Sequence, residues 1–212
     1  PPIGGAVQWG EDVNLNDSGE IMSASSTRLL SEGSGLLQVY ELKLINSVNR
    51  WIDRGSHITT SVSDSDIISD VNIDGNTIVY GTQVDYHPQI YKWNGFDYAL
   101  DFNLPYPGSS LLHSISLSDD GNVFAISRTG NAEASVWSYD GSSWSKKGLN
   151  MNCGTNEEIS EVSLSSDGNK IIIGKPNSGS AGVVCVYTWN DPTPNFPNGN
   201  WSLKGSNLIG TS

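Results

Sequence analysis

The stretch "SLSSDGNKIIIG", Ser163 to Gly174, decides how the chain is read. Its Asp-Gly-Asn either holds an ion or substrate by charge, or turns the chain between two strands. Three further copies separate the two readings: "VNLNDSGEIMSAS" from Val13, "VNIDGNTIVYG" from Val71 and "ISLSDDGNVFAIS" from Ile115. The glycine is kept throughout, whereas Ser18 stands where the other copies have Asp74, Asp120 and Asp167. A hairpin turn needs a residue tolerant of positive φ, which Gly supplies and Asn or Asp favours; an ion site would need the carboxylates. The stretch therefore reads as a turn.

Gly19, Gly75, Gly121 and Gly168 lie 56, 46 and 47 residues apart, so a period near 47 organises the chain. Each copy continues with an apolar–aromatic block: "VYEL" from Val39, "IYKW" from Ile90, "VWSY" from Val136 and "VYTW" from Val186. An aromatic opens a last block, "WIDRG" from Trp51, "YALDF" from Tyr98, "WSKKG" from Trp144 and "WSLKG" from Trp201, and three of these obey Trp-x-x-(Arg/Lys)-Gly. Four short blocks per repeat with alternating polarity predict four half-buried strands. In the first, Val13/Leu15, Val71/Ile73, Ile115/Leu117 and Val162/Leu164 are expected to point one way. Trp51, Trp144 and Trp201 share a repeat position and are expected in the packing between neighbouring units.

The Asp-Gly-Asn hairpin followed by the two aromatic blocks resembles β-propeller repeats, near the "SPDGK" type and the FG-GAP-like repeats of cell-surface proteins. The resemblance covers nearly the whole chain and implies an all-β fold of four four-stranded antiparallel blades, either a four-bladed ring or part of a larger propeller. Residues 1–212 are expected to form one propeller domain or fragment, with repeats near 11–60, 61–107, 108–155 and 156–212. The ends share one phase, and no offset lets one terminus complete the other's blade, which leans the reading towards a fragment. An FG-GAP calcium loop needs carboxylates at alternate positions, and these turns carry one or two acids each. A sialidase Asp box would separate Asp from Gly, and Asp120 and Asp167 abut their glycines. Neither family's site transfers.

Composition narrows the function. The 212 residues suffice for one sizeable domain or two small ones, and the 23 glycines and 16% charged residues suit many short strands. Eleven Lys and Arg against 23 Asp and Glu leave a net charge of −12, which repels a phosphate backbone and argues against nucleic acid. There is no run of 18 apolar residues and no leader in "PPIGGAVQWG", so membrane insertion is not expected. Cys153 and Cys185 allow at most one disulfide and equally allow two free thiols. His57, His87 and His113 lie in different repeats with no metal-ligand spacing. There is no nucleophile elbow and no phosphate loop, so neither a metal, a cofactor nor a catalytic residue is expected.

In an antiparallel blade the Asp-Gly turns and the Asn190–Asn200 insertion leave one rim, while the loops after strands two and four leave the other. The second rim carries Arg28, Tyr86, His87, Arg128 and Lys175, a candidate ligand-binding set for an anionic glycan or acidic peptide. They are equally read as ordinary solvated side chains at strand ends. Sequons at Asn16 and Asn200 are candidate glycosylation sites on the turn side, which fits a cell-surface, extracellular or virion-surface setting. Together these features predict a non-enzymatic interaction or adhesion module that binds a glycan or protein partner, with further blades from the same or another chain. The alternatives are an architectural component of a virion or extracellular coat, and the propeller portion of a glycoside hydrolase or lyase.

Overall fold

The computed structural model describes residues 6–7, 9–26, 28–29, 35–60, 66–83, 87–105, 111–128, 132–154, 157–178, 181–193 and 198–211. They form strands and connecting loops without a helix, and so no helix among them is long and apolar enough to cross a membrane. Four antiparallel sheets follow one another, each with its strands in chain order, and the chain has the β-propeller fold. Blade 1 comprises Val13–Leu15, Ile21–Ser26, Leu36–Ile45 and Val48–Asp53, with Ile58–Thr59 paired along Leu36 and Leu37. Blade 2 comprises Ile67–Val71, Thr77–Thr82, Gln89–Trp93 and Tyr98–Asn103. Blade 3 comprises Leu112–Leu117, Val123–Arg128, Glu133–Tyr139 and Trp144–Lys146. Blade 4 comprises Glu161–Leu164, Lys170–Lys175, Val183–Asn190 and Asn200–Leu203, with Leu208–Ile209 added along Val183 and Val184. Ala6–Val7 pairs with Arg28–Leu29 as a separate ribbon.

The chain divides into two compact units, Pro1–Gly108 and Ser109–Ser212, each holding two blades. In the first, Ile21, Leu37 and Val39 of blade 1 pack on Ile67, Val71, Ile78 and Tyr80 of blade 2. In the second, Val123, Ala125, Ala134 and Val136 of blade 3 meet Val162, Ile171 and Ile173 of blade 4 at corresponding positions. Burying each such Val, Leu or Ile side chain contributes about 1.5–3 kcal/mol, so the face between two blades is where each unit gains much of its stability. Cys153 and Cys185 lie in the second cluster and are bridged, with Cα atoms 5.9 Å apart, which settles the pairing that the sequence left open.

Two expectations are corrected here. In blade 2 the first strand ends at Val71, which is buried, while Ile73 lies in the turn and is 40% exposed. Val71 therefore corresponds to Leu15, Leu117 and Leu164 rather than to Val13; the apolar Ile73 occupies a turn position that Asp119 fills in blade 3. The recurring tryptophans also differ: Trp144 is buried, Trp201 is half-buried, and Trp51 is 37% exposed. Trp144 packs on Phe124 and Tyr139 of its own blade and Trp201 lies under Lys147 of blade 3, so one repeat position is core in one blade and surface in another.

Candidate functional site

The four Asp-Gly turns share one hydrogen-bond pattern. The residue three before the glycine accepts, through its side-chain oxygen, the amide five residues on: Ile21 N–H to Asn16 Oδ1 at 2.8 Å, Thr77 to Asn72 Oδ1 at 2.8 Å, Val123 to Ser118 Oγ at 3.0 Å and Lys170 to Ser165 Oγ at 2.9 Å. The carboxylates are consumed within the turns, Asp74, Asp120 and Asp167 accepting from the amides of Asn76, Asn122 and Asn169 at 2.8, 3.0 and 3.0 Å. These bonds stabilise the ionised form; they and the Ser165 hydroxyl hold Asp167 down to about 2. No group of three or more candidate metal ligands occurs among the described residues. Asn16, the first sequon, is buried, and its Nδ2 donates to Ile73 O at 2.9 Å, so its amide is not presented for a glycan. Asn200, by contrast, is half-buried in a strand, paired with Asn190.

The Trp-x-x-(Arg/Lys)-Gly block makes a joint between consecutive blades within each unit. Arg54 of blade 1 donates from Nη2 to Asn76 Oδ1 in the turn of blade 2 at 2.6 Å, with its guanidinium 4.7 Å from the Trp93 ring and 5.8 Å from Tyr98. Lys147 of blade 3 repeats this on blade 4, donating to Gly168 O at 3.0 Å and Asn169 Oδ1 at 2.8 Å, with Nζ 5.2 Å from Trp189 and 5.7 Å from Trp201. In both joints the two rings are cross-strand partners, Trp93 with Tyr98 and Trp189 with Trp201. A cation over desolvated aromatic faces, hydrogen-bonded at its tip, is a structural fastening rather than a ligand site. The motif glycine completes it: at Gly148 (φ +78°) a Cβ would come within 2.8 Å of the Trp189 ring.

What is described of the candidate binding set lies, in each unit, at the ends of the blades' second strands and in the loops that follow them. Tyr86 lies outside the described residues, and of Arg28 only the backbone is described. His87 Nδ1 donates to Leu104 O at 2.9 Å. Arg128 and Lys175 occupy equivalent places, each the last residue of its blade's second strand, but both are buried and not spread over a solvent-filled funnel. Lys175 Nζ donates to Asn152 O at 2.9 Å. Burial pushes its pKa down, against the upward pull of the Glu157 carboxylate, which itself accepts from Ser178 Oγ at 3.2 Å. Beside this cluster a pocket of about 270 Å³ opens in blade 4, lined by Ser160, Gly174, Lys175, Gly182, Val183 and Leu208 among others. The close approach of loops around it needs glycine: a Cβ at Gly182 (φ +73°) would lie 2.9 Å from Pro176 O. Sequence reasoning singled out Lys175, but no spacing signal connects it to Glu157, read there only as one of two adjacent carboxylates and a poor acid/base partner, or to Ser178. A mostly apolar cleft with a lysine in its lining, and a carboxylate whose charge acts on that lysine, is a place where a small substrate and a polarised bond can meet.

No protein-family model matches the chain, and no curated protein sequence is similar to it. Solved structures are similar in fold. The periplasmic gluconolactonase of Pseudomonas aeruginosa superposes with a TM-score of 0.64 at 13% identity, covering 94% of this chain and 57% of that one. A candidate 6-phosphogluconolactonase from Bacteroides fragilis gives 0.63 at 11% identity, over 93% of this chain and 54% of that one. The β-propeller domain of Swd1 from Myceliophteria thermophila gives 0.55 at 13% identity, over 78% and 49%. The chain thus spans about half the length of these structures. The lactonase neighbours overturn the expectation of a non-enzymatic adhesion module: the fold over nearly the whole chain is matched by proteins named as enzymes, and the absence of a catalytic motif in the sequence was no ground for excluding one.

Proposed function

We propose that the chain is the propeller of a hydrolase that opens a sugar lactone, with the blade 4 pocket as substrate cleft. The observation that carries this is the likeness, over 93–94% of the chain, to proteins named as gluconolactonases. The pocket supports it chemically. Opening a lactone needs water activated by a base and a positive group near the carbonyl oxygen as charge develops. Glu157 is the candidate base and Lys175 the candidate electrostatic partner. Their environments pull Lys175 in opposite directions, towards neutrality by burial and towards charge by the carboxylate.

An oxidising compartment is part of the proposal, supported by the Cys153–Cys185 bridge and by a neighbour that is periplasmic. Within propellers, the Asp-Gly-Asn turn supports kinship with the "SPDGK" type rather than with calcium-binding FG-GAP repeats. Acid release from δ-gluconolactone and 6-phosphogluconolactone, followed in a pH-stat against the spontaneous rate, tests the function. The chain should accelerate opening of one of them, and Lys175→Met should lower kcat by on the order of tenfold or more with folding retained. No acceleration over the blank, by this chain or by a longer chain containing it, would sink the reading.

A further inference from the structure

The last hairpins of blades 2 and 3 turn through the same bonds. Asn94 N–H donates to Asp97 O at 3.0 Å, and the Phe96 and Asp97 amides both donate to Asn94 Oδ1 at 2.9 Å. In blade 3 Asp140 N–H donates to Ser143 O at 3.1 Å, and the Ser142 and Ser143 amides donate to Asp140 Oδ1 at 2.8 Å. A glycine at positive φ follows in both, Gly95 at +96° and Gly141 at +97°. The turns differ in one group: blade 2 has a carboxamide where blade 3 has a carboxylate.

That group makes Asn94 reactive. Two N–H groups aimed at one carbonyl oxygen stabilise the charge that collects there when a nucleophile adds to the carbon. The same bonds, from residues two and three further on, fold the side chain forward over the Gly95 peptide, whose nitrogen is the nucleophile. Among the described residues the Gly95 N–H meets no acceptor, and a Cβ at Gly95 would meet nothing within 4 Å. Asn94 and Gly95 are both exposed, so base and water reach them.

We infer that Asn94–Gly95 is a site of spontaneous deamidation. The Gly95 nitrogen gives its proton to solvent base and bonds to Asn94 Cγ. The Cγ–Nδ2 bond then breaks, Nδ2 takes up a proton and leaves as ammonia, and a cyclic imide remains. Water opens the imide at one carbonyl to aspartate and at the other to isoaspartate, whose backbone is longer by one atom. Asp140 is held ionised by its two amides and has no ammonia to expel.

The two products differ in consequence. Aspartate at 94 keeps the turn, because Asp140 makes the same bonds. Isoaspartate lengthens the chain between Trp93 and Tyr98, the cross-strand pair that lies against Arg54. It also displaces Asp97, whose Oδ1 accepts from the Ser56 amide of the preceding repeat at 2.8 Å. An exposed turn thereby controls the joint between blades 1 and 2.

Asn198–Gly199 supplies an internal control. It is the same dipeptide, but a Cβ at Gly199 would strike the Trp189 ring, and Asn198 accepts no hydrogen bond among the described residues. The folded chain is held at mildly alkaline pH and digested, and conversion of amide to acid at the two sites is followed by peptide mass spectrometry. Asn94 should convert faster than Asn198 by on the order of tenfold or more, and urea should bring the two rates together. A rate at Asn94 no greater than that at Asn198 overturns the inference, as does a difference that persists in urea. The isoaspartyl chain should unfold at lower urea than the wild type, whereas Asn94→Asp should match it. Equal midpoints for the isoaspartyl chain and Asn94→Asp would overturn the coupling to the joint.

Discussion

Gly19 and Gly168 are the same residue of the same turn, with φ of +71° and +63°, and they differ in surroundings. A Cβ at Gly168 would lie 2.6 Å from the Val123 Cβ, and one at Gly19 would meet open space. Gly19→Ala should therefore cost about 1 kcal/mol for the left-handed backbone. Gly168→Ala should cost roughly 1–3 kcal/mol more, because it also overpacks a face between blades. Urea denaturation of the two variants measures the difference, and equal costs would show that packing between blades does not constrain the turn. The conserved glycine was legible in the chain; its second task was not, because Val123 lies 45 residues away and only folding brings it there.

At the scale of the element, the hairpin carries its own acid sensitivity. Asp167 is held at about 2 by the Ser165 hydroxyl and the Asn169 amide, and Asp140 likewise at about 2 by the amides of Ser143 and Ser142 in the last hairpin of blade 3. Both lie below the ordinary 3.8, so the stability they confer is present above about pH 4 and is lost as pH falls towards about 2. Denaturation midpoints should drop across that window, and Asp167→Asn should flatten the drop; an unchanged profile would mean that these bonds contribute nothing. Such turns are readable from sequence because their bonds are local: an oxygen side chain, an acid and a glycine within six residues. Blade 2 marks the limit, since Ile73 at a turn position imitates a strand residue and shifts the first strand by two.

For each whole unit, stability rests on faces between blades, and those were the least legible feature. Trp51 and Trp144 have one sequence context and opposite exposure. Cys153 and Cys185 are 32 residues apart in different structural elements, and nothing in their spacing announces the bridge. Closing a loop of that length is worth about 3–4 kcal/mol, chiefly through the unfolded chain. Replacing both cysteines by serine should lower unfolding free energy by about that amount, and reductant should reproduce the loss in the wild type. A smaller change than about 1 kcal/mol would mean that the core around the bridge suffices without it. The candidate site shows the same limit: Lys175 could be picked out as a basic residue at a strand end, but its partnership with Asn152, Glu157 and Ser178 exists only across loops.

The joints between blades also run one way along the chain. Arg54 precedes Asn76, and Lys147 precedes Asn169, by 22 residues each. During synthesis the cation therefore leaves the ribosome first and waits until the following hairpin has emerged and turned. In each unit the first blade thus carries forward an open charge that the hairpin of the second closes, so the donor of each joint is synthesised before its acceptor.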